Sequence, residues 1–369
     1  MAALERLTRK ALVGRVHQGQ PVSDVSVEGL DLTGADLGGG IFERVRFTGA
    51  RLDGARLKES IFTECDFGGC SMAKANLHIA VMQKCALTSV VLDDAYLATS
   101  HFEACDLSFG RLARANLTIA SFTNSNFTGA SLVGANLERA SMLQSVVTNL
   151  DLAGAEVRKT VILDADLRTV NLAAARLFNP IFLGCNLAAK DLRGLDLTLA
   201  QLMNVDLSEA DLRGATLTQC GLKGANLRAA KLDGATAVMA VFVGADLTGA
   251  SLKQAKVRQS VFLEANLTRA DFSGTDAHQA VFTRADCTET SFIGADLTYA
   301  DFARAKAKSA SFMGARMFRT VLHGIEAPGA VWGDVSLALG DDPELRAAEQ
   351  WQERKRRELG MSEPKRKPS

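Results

Sequence analysis

Cut after every fifth residue, positions 32–76 read LTGAD LGGGI FERVR FTGAR LDGAR LKESI FTECD FGGCS MAKAN. The first letter of every block is Leu, Phe or Met, and the fourth is Ala, Gly, Val, Ser or Cys. The same phase runs from Leu32 to Leu322 without an insertion, and all 59 positions of the first column are apolar. Its smallest members are Ala237, Ala277, Cys287 and Ala307, and Trp332 still falls in phase. The small column, two residues before each centre, departs from its rule most clearly at Leu150, Pro180, Lys190 and Leu195. Asp, Asn, Ser, Thr and Arg fill the places between.

A period of five fits neither an amphipathic helix, at about 3.6, nor a long strand, at about 2. Within each block, however, the two apolar or small positions lie two apart, which is the spacing of one strand face. A chain that goes inward, outward, inward and then turns gives a short strand and a corner. Gly, Asn, Asp, Ser and Thr near each junction suit such corners. Coils built this way bury their inner faces only against their neighbours.

The columns resemble the pentapeptide repeat proteins, whose motif is A-[D/N]-L-x-x. It stands unaltered at Ala35-Asp36-Leu37, Ala75-Asn76-Leu77, Ala115-Asn116-Leu117, Ala135-Asn136-Leu137 and Ala165-Asp166-Leu167. Further copies begin at Ala210, Ala225, Ala245, Ala265 and Ala295. The resemblance implies an all-β fold, a right-handed quadrilateral β-helix with four repeats per coil. Four repeats per coil demand a 20-residue period, which the sequence can test by itself. In the column just before each centre Val or Ile occurs twelve times, and nine of those (Ile41, Ile61, Val81, Val161, Ile181, Val241, Val261, Val281, Val321) are separated by multiples of 20. Phe42, Phe62, Phe102, Phe122, Phe182, Phe242, Phe262, Phe282 and Phe302 share one ladder in the same way.

An open coil end exposes apolar core and strand edges, so both ends call for covers. Leu4 to Leu12 carries apolar residues at helical spacing, which places a capping helix and linker in residues 1–21, before a repeat domain at 22–340. Asp341-Asp342-Pro343 is a helix start. A C-terminal helix at 341–360 follows, with Leu345, Ala348, Trp351 and Leu359 on its apolar side and Gly360 at its stop. Such a helix either caps the coil or docks on a partner. Residues 361–369, with Pro364-Lys365-Arg366-Lys367-Pro368, read as a disordered basic tail.

The 42 basic and 42 acidic side chains cancel, which removes the electrostatic footprint expected for nucleic acid or an anionic membrane. Hydrophobic residues at 47% exclude disorder throughout, and no apolar run reaches membrane-spanning length. The expectation is a cytoplasmic, bacterial protein. No catalytic, metal or cofactor site can be assembled. His78 and His278 share a face but stand ten coils apart at twenty residues per coil, and His101 and His323 are separated by about eleven. A lone His on a ladder reads as a solvated surface residue. Cys65, Cys70, Cys85, Cys105, Cys185 and Cys220 occupy the small column and Cys287 a centre, where Cys serves as a small hydrophobe. Asp106, Asn126, Asp166, Asn186, Asp206, Asn226, Asp246, Asn266 and Asp286 recur at one place, suited to bonding the turn backbone.

The ladder bearing Val and Ile offers a binding surface. Val161, Ile181, Val241, Val261 and Val281 precede the centres, and Leu143, Leu163, Leu183, Met203, Val243 and Leu263 follow them. Together they form an apolar strip about seven coils long, larger than scattered surface residues explain. The sequence therefore points to a noncatalytic interaction rod or scaffold that binds an unidentified protein partner or forms a homodimer through this strip. The alternative from another class is a DNA-mimicking inhibitor or protector of an enzyme such as gyrase. That role needs a strong negative field, yet residues 31–340 hold 30 basic and 32 acidic groups. The resemblance also extends to accessory components of type VI secretion systems.

Overall fold

The computed structural model describes residues 4–358, which fall into two compact units divided between Asn186 and Leu187. Leu359, Gly360 and the basic tail lie outside the described residues.

The first unit opens with β1 (Glu5–Arg6) and α1 (Arg9–His17). Thr8 caps the helix by accepting the N–H of Ala11 at 3.3 Å, while Leu12 and Val16 are buried. Arg9 donates to the carbonyls of Asp31 (3.2 Å) and Thr33 (2.8 Å), fastening the helix to the first coil. After β2 (Val22–Ser23) and β3 (Val25–Ser26), which pairs with β1, one face of the coil becomes a ladder of three-residue strands. These are β4 (Ile41–Glu43), β5 (Ile61–Thr63), β6 (Val81–Gln83), β7 (His101–Glu103), β8 (Ser121–Thr123), β9 (Ser141–Leu143), β10 (Val161–Leu163) and β11 (Ile181–Leu183). All pair in parallel with partners twenty residues apart, as in Ile41↔Ile61 and Val161↔Ile181. The other three faces join by single bridges at the same spacing, such as Asp31↔Arg51, Asp36↔Arg56 and Arg46↔Asp66. Twenty residues and four faces per coil make this unit a right-handed quadrilateral β-helix.

The second unit repeats the pattern on four faces, with Asp191↔Asp211, Asp196↔Thr216, Gln201↔Gly221 and Asp206↔Asn226 opening its four ladders. It ends in α2 (Pro343–Glu358).

Most corners are four-residue turns in which the carbonyl of the centre accepts the N–H three residues on, as from Ala35 to Leu32 at 2.9 Å. The third residue of such a turn must take a positive φ. Gly34 does so at 64°, but Lys74, Ile79 and Leu199 are held there too, at 58°, 58° and 62°. A non-Gly residue pays roughly 1–2 kcal/mol for that conformation, which the ladder bonds on both sides offset.

One column in the first unit is built differently. After Phe62, Met82, Phe102 and Phe122 the turn bond is absent, and side chains of the small column take its place. The carbonyl of Met82 accepts from the Cys105 thiol of the next coil (3.3 Å), and that of Phe122 from the Ser145 hydroxyl (3.4 Å). The N–H groups of Cys105 and Ser125 donate to the hydroxyls of Ser125 (3.3 Å) and Ser145 (3.2 Å). Extended strands β4–β11 run along this open column. In the second unit the equivalent corners at Ala225, Ala245, Ala265, Ala285 and Ala305 all close with the ordinary turn bond.

The cores are stacks of identical side chains. Phe42 lies on Phe62 at 4.7 Å in the first unit, and Phe242, Phe262, Phe282 and Phe302 form a continuous pile at 4.6–5.0 Å in the second. Phe312 stacks on Trp332 at 4.7 Å. Each fully buried Leu or Phe contributes about 1.5–3 kcal/mol. Outside the core, Asp and Asn before the centres accept the N–H two residues on, as Asp106 from Ser108 (3.1 Å) and Asn126 from Thr128 (3.0 Å). Asp and Asn alternate because the Asn amide donates to the Asp one coil away, Asn126 to Asp106 at 3.0 Å and Asn226 to Asp206 at 2.9 Å. Two stacked carboxylates would repel instead.

Candidate functional site

The apolar strip resolves into a patch on each unit. In the first, Leu143, Leu163 and Leu183 stack in register, as do Val161 and Ile181, and all five are half-buried. Strands about 4.8 Å apart make outward side chains cover one another, so an outward ladder is less exposed than a count of its members suggests. In the second unit Val241, Val261 and Val281 bridge in sequence. Met203 and Val241 are exposed, at 38% and 37%, and Val243, Val261, Leu263 and Val281 are half-buried. Gly221, partly covered by the Gln201 side chain, separates Met203 from the Val241 ladder.

The C-terminal end of the second unit is more open. Leu337 is 60% exposed, Val331 and Leu339 are exposed, and Leu345 and Trp351 on α2 stand at 47% and 57%. Ala348 is exposed beside them. The bonds that fasten the helix among the described residues come from polar groups. Glu349 pairs with Arg304 and lies 3.4 Å from Nε2 of His323, while Nδ1 of His323 accepts the N–H of Asp342 at 3.1 Å. The Asp341 carboxylate accepts the N–H of Gly324 at 2.8 Å. Arg304 beside it holds the Glu349 carboxyl below its usual range, and the Gly324 N–H does the same for Asp341.

His323 therefore departs from the solvated histidine expected of a ladder position: it is buried, covered by the segment that returns nineteen residues later. Phe318 belongs to a second grouping that spacing alone concealed. Tyr299 meets His278 and Phe318 edge-on, each at 5.6 Å, and Arg319 lies over its ring at 5.9 Å.

The thiols are buried, and they do more than fill space, since several donate to carbonyls. Burial pushes Cys70 up to about 12 and Cys185 up to about 11, so these groups stay protonated at neutral pH. Among the described residues no three His, Cys, Asp or Glu side chains converge as metal ligands. No described helix is long and apolar enough to cross a membrane.

The family model for pentapeptide repeats (8 copies) matches residues 28–88, 100–158 and 181–324 in overlapping stretches. The chain belongs to the pentapeptide repeat proteins. A search of curated proteins gave no match. Among solved pentapeptide repeat structures, HetL from the cyanobacterium Nostoc, involved in heterocyst differentiation regulation, is 18% identical and aligns over 90% of this chain and 94% of its own, with a TM-score of 0.17. Full-length QnrB1, a plasmid-mediated fluoroquinolone resistance protein, is 16% identical over 62% of this chain and 98% of its own, with a TM-score of 0.24. A thylakoid-lumen protein from Arabidopsis thaliana is 25% identical over 36% of this chain and 70% of its own, with a TM-score of 0.22.

Proposed function

We propose that this pentapeptide repeat protein is a noncatalytic scaffold that works by binding a protein, a second copy of itself included. The observation that carries the reading is α2. The helix is held to its unit by Glu349 and leaves Leu345, Ala348 and Trp351 facing solvent beside the exposed Leu337 and Val331. A helix that leaves much of its apolar side open fits recognition of another chain. The strip residues Val161, Ile181, Leu183 and Val241 form a further contact surface, less open than the helix.

DNA mimicry is the weaker reading. Carboxylates along both units sit against guanidinium groups, Asp94 with Arg114 at 2.8 Å, Asp191 with Arg193 at 2.7 Å and Asp211 with Arg213 at 2.6 Å. Pairs of this kind weaken the bare negative field that would have to stand for phosphates.

The test is sedimentation of the wild type and of Leu345→Ser/Trp351→Ser, together with affinity capture from the native cell. Loss of self-association or of one specific partner in the variant supports the reading. Identical sedimentation and identical captures would refute the role of α2, and Val161→Ser/Ile181→Ser/Leu183→Ser/Val241→Ser would then test the strip.

A further inference from the structure

Cys65, Cys85 and Cys105 follow one another at intervals of twenty residues, and none of Cys70, Cys185, Cys220 and Cys287 has a cysteine at that distance. The three are pinned in register from both sides. Thr63 pairs with Gln83 and Gln83 with Glu103, while Asp66 bridges Ala86 and Ala86 bridges Asp106. Paired parallel strands lie about 4.8 Å apart, within the roughly 4.4–6.8 Å between Cα atoms that a disulfide spans. Cys65 and Cys105 stand two coils apart, about 9.6 Å, which is beyond that range.

The thiols also face one another. The Cys85 sulfur lies 3.5 Å from the carbonyl of Phe62 and 3.4 Å from that of Gln83, so it sits between its own coil and the one that carries Cys65. Cys105 repeats the placement one coil on, at 3.3 Å from the carbonyl of Met82 and 3.4 Å from that of Glu103. The Cys85 thiol hydrogen-bonds to both neighbours, which holds Cys65 and Cys105 below the usual thiol range and raises Cys85 itself. All three are buried, and they line the open column, whose corners lack the turn bond that closes most others.

We propose that Cys65, Cys85 and Cys105 are an oxidation site for a small peroxide, at which Cys85 forms a disulfide with either neighbour and the third thiol stays free. The thiolate of Cys65 or Cys105 attacks one peroxide oxygen, becomes a sulfenic acid and releases hydroxide. The Cys85 sulfur then attacks the sulfenic sulfur, and its proton leaves with the sulfenic hydroxyl as water. One peroxide is reduced and two thiols are oxidised to one disulfide. Because Cys85 belongs to both bridges, the free thiol can displace the other by exchange, which moves the bridge by one coil. Either bridge staples two coils at a corner that has no turn bond. The site involves neither α2 nor the apolar strip, so it stands or falls apart from them.

The test exposes the full chain, reduced and then freed of reductant, to hydrogen peroxide. It is followed by alkylation in denaturant, tryptic digestion and mass spectrometry. Two of the seven thiols should escape alkylation, and a reductant should restore them. A Cys65–Cys85 bridge joins peptides 59–74 and 85–111, whereas a Cys85–Cys105 bridge closes a loop inside 85–111. Cys65→Ala and Cys105→Ala should each keep one bridge, and Cys85→Ala should keep none. Ser125 and Ala165 stand in the same column, so side chains of this size are already accommodated there. Seven alkylated thiols in the wild type, a bridge that includes Cys70, or a bridge from Cys65 to Cys105 in Cys85→Ala would overturn the proposal. So would thiols lost to sulfinic acid without a bridge. If a variant does not fold, the identity of the joined cysteines in the wild type still decides.

Discussion

The column of corners after Phe62, Met82, Phe102 and Phe122 in the first unit and the column after Leu222, Phe242, Phe262 and Phe282 in the second have the same spacing and the same centres, yet they turn differently. From Leu222 to Phe302 the second closes each corner with a backbone bond onto Ala, for example Ala245 to Phe242 at 3.0 Å. The first leaves its corners open and satisfies the freed groups with Cys and Ser. Side-chain type does not decide this alone, because Cys70 and Ser60 close their own corners at 3.0 and 3.3 Å. Ala165 conversely sits in the open column, and no turn bond closes its corner. The geometry holds over runs of neighbouring coils and changes between Leu202, whose corner lacks the turn bond, and Leu222, whose corner closes onto Ala225 at 3.1 Å. Hydroxyls and thiols make the open geometry affordable, since an unmade buried bond costs about 1–3 kcal/mol.

The largest expected effect lies where the columns are alike. Phe262→Ala interrupts the pile of four rings and should cost about 3–5 kcal/mol, read as a lower urea midpoint at unchanged slope. Phe122→Ala in the first unit should fall in the same range. A much smaller loss there would mean that the open column tolerates cavities by collapsing.

Next comes conversion of one corner type. Ala245→Val/Ala265→Val puts branched side chains into closed corners and should destabilise by about 1–3 kcal/mol through overpacking. A neutral result would show that closed corners can open locally.

Acid should act at the C-terminal end. The carboxyls of Glu349 and Asp341 are lowered in the folded protein, so their contribution is present above the ordinary carboxylate range and is lost as pH falls through the lowered values. The α2 contact should therefore persist at neutral pH and weaken only in strong acid, followed by Trp351 fluorescence. Glu349→Gln should weaken it at neutral pH. The smallest effect is chemical: Cys70 and Cys185, raised to about 12 and 11, should scarcely react with a thiol reagent at pH 8 in the native protein, and all seven thiols should appear on unfolding.

Much of the fold was legible because the repeat converts sequence separation directly into position. The column from Leu32 to Leu322 and the Val/Ile ladder together specify four faces and twenty residues per coil. Corner type was not legible, since Cys70 and Cys105 look identical as letters and differ only in the column they join. His323 read as a solvated ladder residue because its cover comes from Asp342 and Glu349, beyond the last repeat. The division after Asn186 falls between Pro180 and Lys190, where a ring and an ammonium replace Ala in the small column, a cluster visible in sequence without its consequence.

The central claim is that side-chain hydroxyls replace backbone bonds in the open column and merely supplement them in a closed one. Ser125 accepts the otherwise orphaned N–H of Cys105, whereas Ser260 donates to an Ala237 carbonyl that already accepts from Ala240 at 3.1 Å. The direct measurement is the urea midpoint of Ser125→Ala beside that of Ser260→Ala. The expected losses are about 1–3 kcal/mol for the first and under about 1 kcal/mol for the second. Equal losses, or a greater loss at Ser260, would contradict it.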